Sequence, residues 1–234
     1  GEGGAIQNPF VEGRISVRSA LKVLNFKANH RKTIVADNGG NYTAIVSSAN
    51  PHDASWAHTN VAVEFSGAAV LDLLQSESVV LNLSTGEPLN HYVETDQSLA
   101  AVPGTMLRVL TEESIRKSAL HIINSLQSGD QLKIAMFYFS ERNIVSAIST
   151  ALKKGVSVQI LLDPNSESFG RKRIGIPNRF TAWELQQEGA KIRWADTHGE
   201  QMHAKMLLAF RQGGEASLLA GSANYTRRNI GGYN

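Results

Sequence analysis

The second half of the chain shows two alternating patterns of apolar residues. Short apolar runs predict strands, whereas apolar residues three or four positions apart predict amphipathic helices. The predicted strands cover residues 106–110, 131–139, 156–162 and 190–195, and the predicted helices cover about 111–128, 140–154 and 181–188. Strands that alternate with helices are typical of βαβ units, so we expect an α/β fold with a largely parallel sheet.

One pattern then occurs twice in the chain. "MHAKMLLAF" (202–210) and "EASLLAGSAN" (215–224) are strand-like segments joined by a Gly-containing turn, which predicts a hairpin. "HRKTIVAD" (30–37) and "NYTAIVSSAN" (41–50) flank "NGG" in the same way, and a predicted strand (60–67) and helix (about 68–76) follow them. The repeat predicts two similar lobes, residues 1–104 and residues 105–234.

The chain upstream of the first copy is short. Before His30 the pattern predicts only one helix, near Ser16–Leu24, and a short strand, whereas several βα units precede the second copy. Either the first lobe is much smaller than the second or it is truncated at its N-terminus, and truncation is the expectation that we favour.

Composition restricts the classes of protein. The chain has 234 residues, of which 42% are hydrophobic and 19% charged, as in ordinary globular proteins, and no apolar run is long enough for a membrane-spanning helix. The absence of cysteine excludes disulfides, thiolate nucleophiles and cysteine-based zinc sites. Residues 1–104 carry 6 basic and 10 acidic side chains, a net −4, whereas residues 105–234 carry 17 and 11, a net +6. The second half is therefore the better candidate to meet an anionic partner.

Each copy of the repeat presents four polar side chains at matched spacing. His-x-Lys opens the copy, and Ser-x-Asn follows 18 to 21 positions after the histidine. Side chains two positions apart on a strand point to the same face, so each pair should project together. The candidate site residues are His30, Lys32, Ser48 and Asn50 in the first copy and His203, Lys205, Ser222 and Asn224 in the second.

These residue types suit a phosphodiester substrate. A single His-x-Lys pair is more simply explained as a solvated strand face, but two pairs with matched Ser-Ala-Asn segments are not. Lysine supplies charge for phosphate oxygens, and serine and asparagine donate hydrogen bonds to them. Of two histidines, one can attack phosphorus while the other protonates the leaving oxygen. No Asp/Glu cluster has metal-ligand spacing, so we expect no metal and no other cofactor.

The two copies, "HRKTIVAD…SSAN" and "HAKMLLAF…GSAN", resemble the paired HxKxxxxD signatures of the phospholipase D superfamily. The order of strands and helices, "LLDPNSESFGRKRIGIPNR" and the closing "NYTRRNIGGYN" are most similar to bacterial phospholipase D-like proteins grouped with cardiolipin synthases. The resemblance implies two facing lobes, each a mostly parallel mixed sheet flanked by helices, with the active site at their interface. It implies a ping-pong reaction through a phosphohistidine, with His30 as nucleophile and His203 as general acid. Four side chains would hold the phosphate: Lys32, Lys205, Asn50 and Asn224.

The sequence departs from this family's pattern at two further places. Phe210 stands where the second signature has aspartate, and we expect it to pack inside the second lobe. The family also places an acidic residue about a dozen positions after Ser-x-Asn to orient a histidine. In the first copy this region reads "WAHTN", which leaves Asp53, His58 and Thr59 as candidates, and in the second copy the sequence stops at Asn234.

The implied activity is that of a phosphodiesterase or phosphatidyltransferase acting on phospholipid. The implied setting is a membrane surface, at the bacterial envelope or its cytoplasmic face, and a pseudo-symmetric monomer is the expected assembly. A metal-independent nuclease of the same superfamily is the first alternative, although a net charge of +2 and 7% aromatic residues make nucleic acid the less favoured partner. A catalytically inactive phosphate-binding module is the second, and the two intact His-x-Lys pairs argue against it.

Two surface features complete the sequence-based expectations. A basic group in the loop after the third predicted strand is either a solvated loop or a rim that attracts an anionic headgroup or membrane. It comprises Arg171, Lys172, Arg173 and Arg179. The three tryptophans, Trp56, Trp183 and Trp194, are predicted to be packing residues because periodic apolar residues surround them.

Overall fold

A computed structural model of the chain describes residues 6–7, 14–15, 30–38, 41–86, 104–164, 167–168, 171–172 and 177–230. The predicted helix near Ser16–Leu24 lies outside these residues. The chain forms two compact units, residues 1–30 together with residue 234, and residues 31–233. In the first unit, strand β1 (Ile6–Gln7) pairs antiparallel with β2 (Arg14–Ile15).

The second unit begins with a three-stranded antiparallel sheet and a helix. The elements are β3 (Thr33–Asn38), β4 (Asn41–Ser47), β5 (Ala62–Ser66) and helix α1 (Ala69–Thr85). Strand β4 is central, with β3 and β5 on either side, and the hairpin predicted around residues 38–40 is confirmed. Ala44 of β4 packs against Val70 and Leu73 of α1, which forms a small apolar core.

A five-stranded mixed sheet follows in the second half. Its strands are β6 (Gln131–Met136), β7 (Ser157–Leu162), β10 (Lys191–Trp194), β11 (Lys205–Phe210) and β12 (Ala216–Ala220). The order is β10-β7-β6-β11-β12, in which the first three strands are parallel and β11 and β12 run antiparallel. A two-residue pair, β8 (Glu167–Ser168) and β9 (Arg171–Lys172), lies between β7 and β10 in the chain.

Helices flank this sheet and bury its apolar residues. They are α2 (Glu113–Ser125), α3 (Arg142–Lys153), α4 (Asn178–Gln187) and the short α5 (Arg227–Ile230). Ile123, Leu132, Ile148 and Leu207 are fully buried members of one core that joins helices to strands. No helix in the described part of the chain combines the length and apolar character needed to cross a membrane.

The predicted α/β class is confirmed as a mixed sheet flanked by helices, and two details differ. Residues 106–110 form no strand with any of the residues that the structure describes, and Met106 is 76% exposed. Within residues 31–86 the sheet is antiparallel rather than mostly parallel. The two similar lobes, with a boundary near residue 104, therefore stay a prediction.

Candidate active site

The second His-x-Lys motif lies at the start of β11 and is almost completely buried. Lys205 is the first residue of β11 and is 2% exposed, and His203, 5% exposed, precedes the strand. The Lys205 ammonium donates to the carbonyl of His203 and lies 4.9 Å from the centroid of the Phe137 ring. The Phe137 ring in turn packs edge-on against the His203 ring, with 4.9 Å between centroids. Burial of both side chains excludes the simple explanation of a solvated strand face.

Asn60 orients the His203 ring. Asn60 Nδ2 donates to the carbonyls of Ser55 (3.2 Å) and His58 (2.9 Å), which fixes the amide orientation. Asn60 Oδ1 accepts from the Ser48 hydroxyl at 3.0 Å and lies 3.2 Å from His203 Nδ1. Because Oδ1 can only accept, Nδ1 of His203 must carry a proton. The other ring nitrogen, Nε2, is therefore the one that can exchange a proton with a substrate.

A backbone contact holds the two segments together beside this pair. Thr59 and Met202 form a parallel bridge, in which the Thr59 amide donates to the Gln201 carbonyl (2.9 Å) and the His203 amide donates to the Thr59 carbonyl (2.8 Å). The Gln201 amide also donates to His58 Nδ1 at 3.1 Å, which places the proton of the neutral His58 ring on Nε2. The His58 and His203 ring centroids are 6.0 Å apart. Residues 58–60 thus contact the second motif at several points.

Asp163 is a buried carboxylate of the site that the sequence reading did not single out. It follows β7, is 2% exposed, and accepts a hydrogen bond from the Met202 amide on Oδ2 at 2.7 Å. Its negative charge raises the pKa of Lys205 and of His58, although other effects dominate both. Its place at the carboxyl end of a predicted parallel strand was the available signal, because ligand sites of α/β sheets lie there.

The two motif lysines lie close enough to affect each other. Lys32 directly precedes β3, and burial lowers its pKa to about 8. Burial, followed by the positive charge of Lys32, lowers the pKa of Lys205 to about 6. Burial and mutual repulsion disfavour the charged forms of these two lysines, and a bound anion would favour them again. Such a pair suits an anion-binding site.

The Ser-x-Asn residues occupy different environments. The Ser48 hydroxyl is fully buried, donates to Asn60 Oδ1 and accepts from the Val61 amide at 3.0 Å, so it supports the Asn60–His203 contact. Asn224 is 5% exposed, and its Oδ1 accepts a hydrogen bond from the Tyr138 amide at 3.3 Å. This bond uses the oxygen of the side-chain amide and not its Nδ2 donor. Asn50 and Ser222 are both partly exposed.

His30 belongs to the first unit of the chain, two residues before Lys32. It is partly buried and precedes β3 as His203 precedes β11. A catalytic role for His30 stays a prediction from the repeated motif. The contact to a ring nitrogen of His203 comes from Asn60, the residue directly after Thr59, one of the three expected to replace the family's orienting acid.

Several expected packing residues are exposed instead. Phe210 is 38% exposed, and the Lys133 ammonium lies 5.5 Å from the centroid of its ring, so the packing prediction is wrong: the ring lies at the surface. Trp56, Trp183 and Trp194 are 91%, 67% and 44% exposed, so their predicted packing role is also wrong. Apolar neighbours in sequence do not decide to which face a side chain points. Of the basic group, Arg179 is exposed, and the side chains of residues 171–173 lie outside the described part of the chain.

No candidate metal centre is present among the residues that the structure describes, since no three His, Asp or Glu side chains come together suitably. The cationic groups of the site are lysines, which are not metal ligands at this charge state. The arrangement offers positive charge, amide donors and a proton-transferring imidazole, which are the groups required for phosphoryl chemistry.

Comparisons with known proteins give matches to one family model and to several solved structures. Residues 120–234 match a family model described as "Cardiolipin synthase, PLD-like domain". No curated protein sequence matches the chain. Solved structures that match part of the chain include a phospholipase D family member, Nuc, from Salmonella typhimurium and NucT from Helicobacter pylori. Nuc is 21% identical (TM-score 0.39, covering 50% of this chain and 69% of Nuc), and NucT is 21% identical (TM-score 0.35, covering 49% and 69%).

A third solved structure is similar over most of the chain. Polyphosphate kinase from Porphyromonas gingivalis matches 94% of this chain and 33% of its own length, with a TM-score of 0.52 and 13% identity, and this similarity concerns the fold alone. The family match therefore identifies residues 120–234, about half of the chain, as similar to a phospholipase D-like domain, and the buried His-x-Lys motif lies within this segment.

Proposed function

We propose that the chain contributes the active site of a phosphodiesterase or phosphatidyltransferase that acts on phospholipid through a phosphohistidine. The observation that carries the proposal is the contact of Asn60, which follows the first copy of the motif, with His203 of the second: Asn60 Oδ1 lies 3.2 Å from His203 Nδ1. Burial, followed by the charge of Lys32, lowers the pKa of Lys205, so a lysine of each copy accompanies this contact. Two lysines and an oriented imidazole suit an anionic tetrahedral substrate.

In the proposed first step, His30 attacks phosphorus, a P–N bond forms, and the P–O bond to the leaving alcohol breaks. His203 gives a proton from Nε2 to the leaving oxygen and keeps its proton on Nδ1, which donates a hydrogen bond to Asn60 Oδ1. As general acid, His203 must therefore start as the doubly protonated imidazolium. In the second step, Nε2 takes a proton from water or an alcohol, whose oxygen attacks phosphorus and releases His30.

The proposed role of the lysines is to neutralise the charge of the phosphoryl group. Lys205, with a pKa of about 6, is mostly neutral in an empty site at pH 7. A bound phosphate favours the ammonium form, so Lys205 would gain its proton as substrate binds. Asn224 and Asn50 would donate amide hydrogens to the same oxygens.

Two observations support phospholipid as the substrate class. The matching family model carries the description of cardiolipin synthase, and residues 105–234 carry a moderate net charge of +6, enough for a headgroup rather than a long polymer. The proposed location is accordingly a membrane surface. One observation favours the nuclease alternative. Trp56 lies between Asn50 and Asn60 in the sequence and is 91% exposed, so its indole is available to stack on a base.

The test compares substrates under one set of conditions. The protein is incubated with phosphatidylglycerol vesicles in the presence of glycerol, and separately with single- and double-stranded DNA. Headgroup release or transfer to glycerol, together with an acid-labile phosphatidyl adduct on His30 detected by mass spectrometry, supports the proposal. DNA cleavage without lipid turnover, and its loss in Trp56→Ala, would replace the proposal with the nuclease.

A further inference from the structure

Helix α4 carries two large aromatic side chains on its outer side. Phe180 and Trp183 are 69% and 67% exposed, a large apolar area to leave in water. They lie three positions apart, so they are neighbours on the helix surface. Arg179, four positions before Trp183, is exposed on the same part of the helix. We call these three residues the α4 aromatic face.

The opposite side of α4 is attached firmly to the edge of the active site. The Asn178 side chain, fully buried, donates to the carbonyls of Phe137 (2.7 Å) and Asp163 (2.9 Å) and accepts from the Phe139 amide (2.8 Å). Phe137 is the residue whose ring packs against His203. The α4 aromatic face therefore begins immediately after a side chain that holds the strand ends of the site.

The sequence around the α4 aromatic face is mainly basic. Between Glu167 and Glu184 there are four basic side chains and no acidic one, and Glu184 is itself paired with Arg142 at 2.7 Å. Exposed aromatic rings next to arginine and lysine are typical of surfaces that settle at the interface of an anionic bilayer, where rings enter the headgroup layer and cations meet the phosphates. Nucleic acid also attracts rings and cations, but bases stack within grooves that follow the strand, whereas these rings stand on the outer side of a helix.

We propose that the α4 aromatic face docks the enzyme on an anionic phospholipid surface and thereby presents the active site to lipid headgroups. The proposal rests on phospholipid as the substrate class. Docking would be separate from catalysis, because none of the three side chains belongs to the proposed catalytic or phosphate-binding groups. It would act by concentrating the enzyme at the surface.

The main experiment measures binding of the full chain to vesicles of phosphatidylglycerol and phosphatidylcholine by sedimentation. The double variant Phe180→Ser/Trp183→Ser should bind at least about tenfold more weakly, since it removes two large apolar side chains from the interface. Trp194→Ser is the matched control: this tryptophan, 44% exposed, lies on strand β10 outside the α4 aromatic face. Equal vesicle binding by the double variant and the wild-type protein would overturn the proposal.

A spectroscopic readout follows the ring directly. In a variant that keeps only Trp183 (Trp56→Phe/Trp194→Phe), the emission of Trp183 should shift to shorter wavelength when anionic vesicles are added. Emission that does not change at vesicle concentrations sufficient for binding would contradict insertion of this ring.

Activity assays separate docking from the substrate proposal. Turnover of vesicle phosphatidylglycerol should fall in the double variant in proportion to binding, whereas turnover of dispersed short-chain phosphatidylglycerol should not change. If the wild-type protein binds vesicles through this face but turns over no phospholipid, docking stands and the substrate proposal fails. If the double variant loses binding to single-stranded DNA but keeps vesicle binding, the face is a nucleic-acid surface and docking on lipid is wrong.

Discussion

Asn60 Oδ1 and His203 Nδ1 are 3.2 Å apart, although 143 positions separate the two residues in sequence. The neutral amide of Asn60 orients the His203 ring, whereas the family pattern that the motifs resemble has an acidic residue for this purpose. The amide fixes the tautomer without adding a negative charge next to the imidazole. The Ser48 hydroxyl donates a hydrogen bond to the same Asn60 oxygen, so a substitution of Ser48 should also affect the Asn60–His203 contact.

We predict that Asn60→Leu lowers kcat by about 10² or more, because the ring loses its acceptor and Nε2 is no longer reliably presented. Ser48→Ala should have a smaller effect in the same direction, because it removes a donor to Oδ1 but leaves Oδ1 near His203. The measurement is steady-state turnover together with the melting temperature of each variant. A large fall in kcat with an unchanged melting temperature separates orientation from general destabilisation; an unchanged kcat in Asn60→Leu would contradict the assignment.

Asn60→Asp tests the meaning of the neutral amide. A carboxylate at this position would stabilise the imidazolium form of His203, so the pH range of activity should extend to higher pH. The pH profile of kcat, recorded for the variant and the wild-type protein, gives the comparison. If the pH profile of kcat is the same for Asn60→Asp and the wild-type protein, the side chain at position 60 orients the ring without influencing its protonation.

The proposed nucleophile and general acid can be tested by substitution in the complete protein. His30→Asn and His203→Asn should each reduce turnover by about 10³ or more, and the double variant should be little worse than either one, because the two groups act as one unit. His121→Asn is a suitable control, since this exposed histidine lies on α2. Near-normal turnover of His30→Asn would show that the nucleophile lies elsewhere.

Activity should survive removal of divalent metal ions. The lysines supply the positive charge that a metal ion would otherwise supply at the phosphate. Turnover is measured in EDTA before and after addition of Mg²⁺, Ca²⁺ or Zn²⁺. Loss in EDTA that a divalent ion reverses would disprove the lysine-based mechanism.

Lys205 should make the stability of the protein depend on pH. Its pKa is about 6 in the folded protein and about 10.4 when unfolded, so between these values the unfolded chain binds the additional proton. The free energy of unfolding should therefore rise with pH in this window, by up to about 1.4 kcal/mol per pH unit from this group. Urea unfolding at a series of pH values, compared with Lys205→Met, isolates the contribution. Identical slopes for both proteins would mean that Lys205 does not titrate in this way.

Phe210→Asp should change stability by less than about 1 kcal/mol, because the ring is 38% exposed and a carboxylate could pair with Lys133. Phe139→Asp, at a fully buried position, should instead prevent stable folding. Urea unfolding of both variants provides the test. A loss of several kcal/mol in Phe210→Asp would restore the idea that this ring is part of the core.

The sequence predicted the elements with strong periodicity and the repeated motifs, because these depend on local spacing. Helices α2 and α3 and both hairpins follow from it directly. It did not predict Asn60, which directly follows the candidates His58 and Thr59, because the spacing does not decide which neighbouring side chain points at the His203 ring. Asp163 was not predicted because its backbone partner, the Met202 amide, has no sequence pattern; only its place at the carboxyl end of a predicted parallel strand pointed to it. The exposure of the tryptophans depends on which side of an element faces the core, and two or three apolar neighbours do not determine that.

The bridge between Thr59 and Met202 also bears on how the protein is made. During synthesis, Thr59 leaves the ribosome long before Met202 is added. The contacts that hold His203 therefore close a loop of well over a hundred residues. Such non-local contacts form late in folding, after the local helices and hairpins. The nascent chain carries His30 and Lys32 from an early stage, but the contacts that orient His203 can form only when synthesis of the second motif is complete.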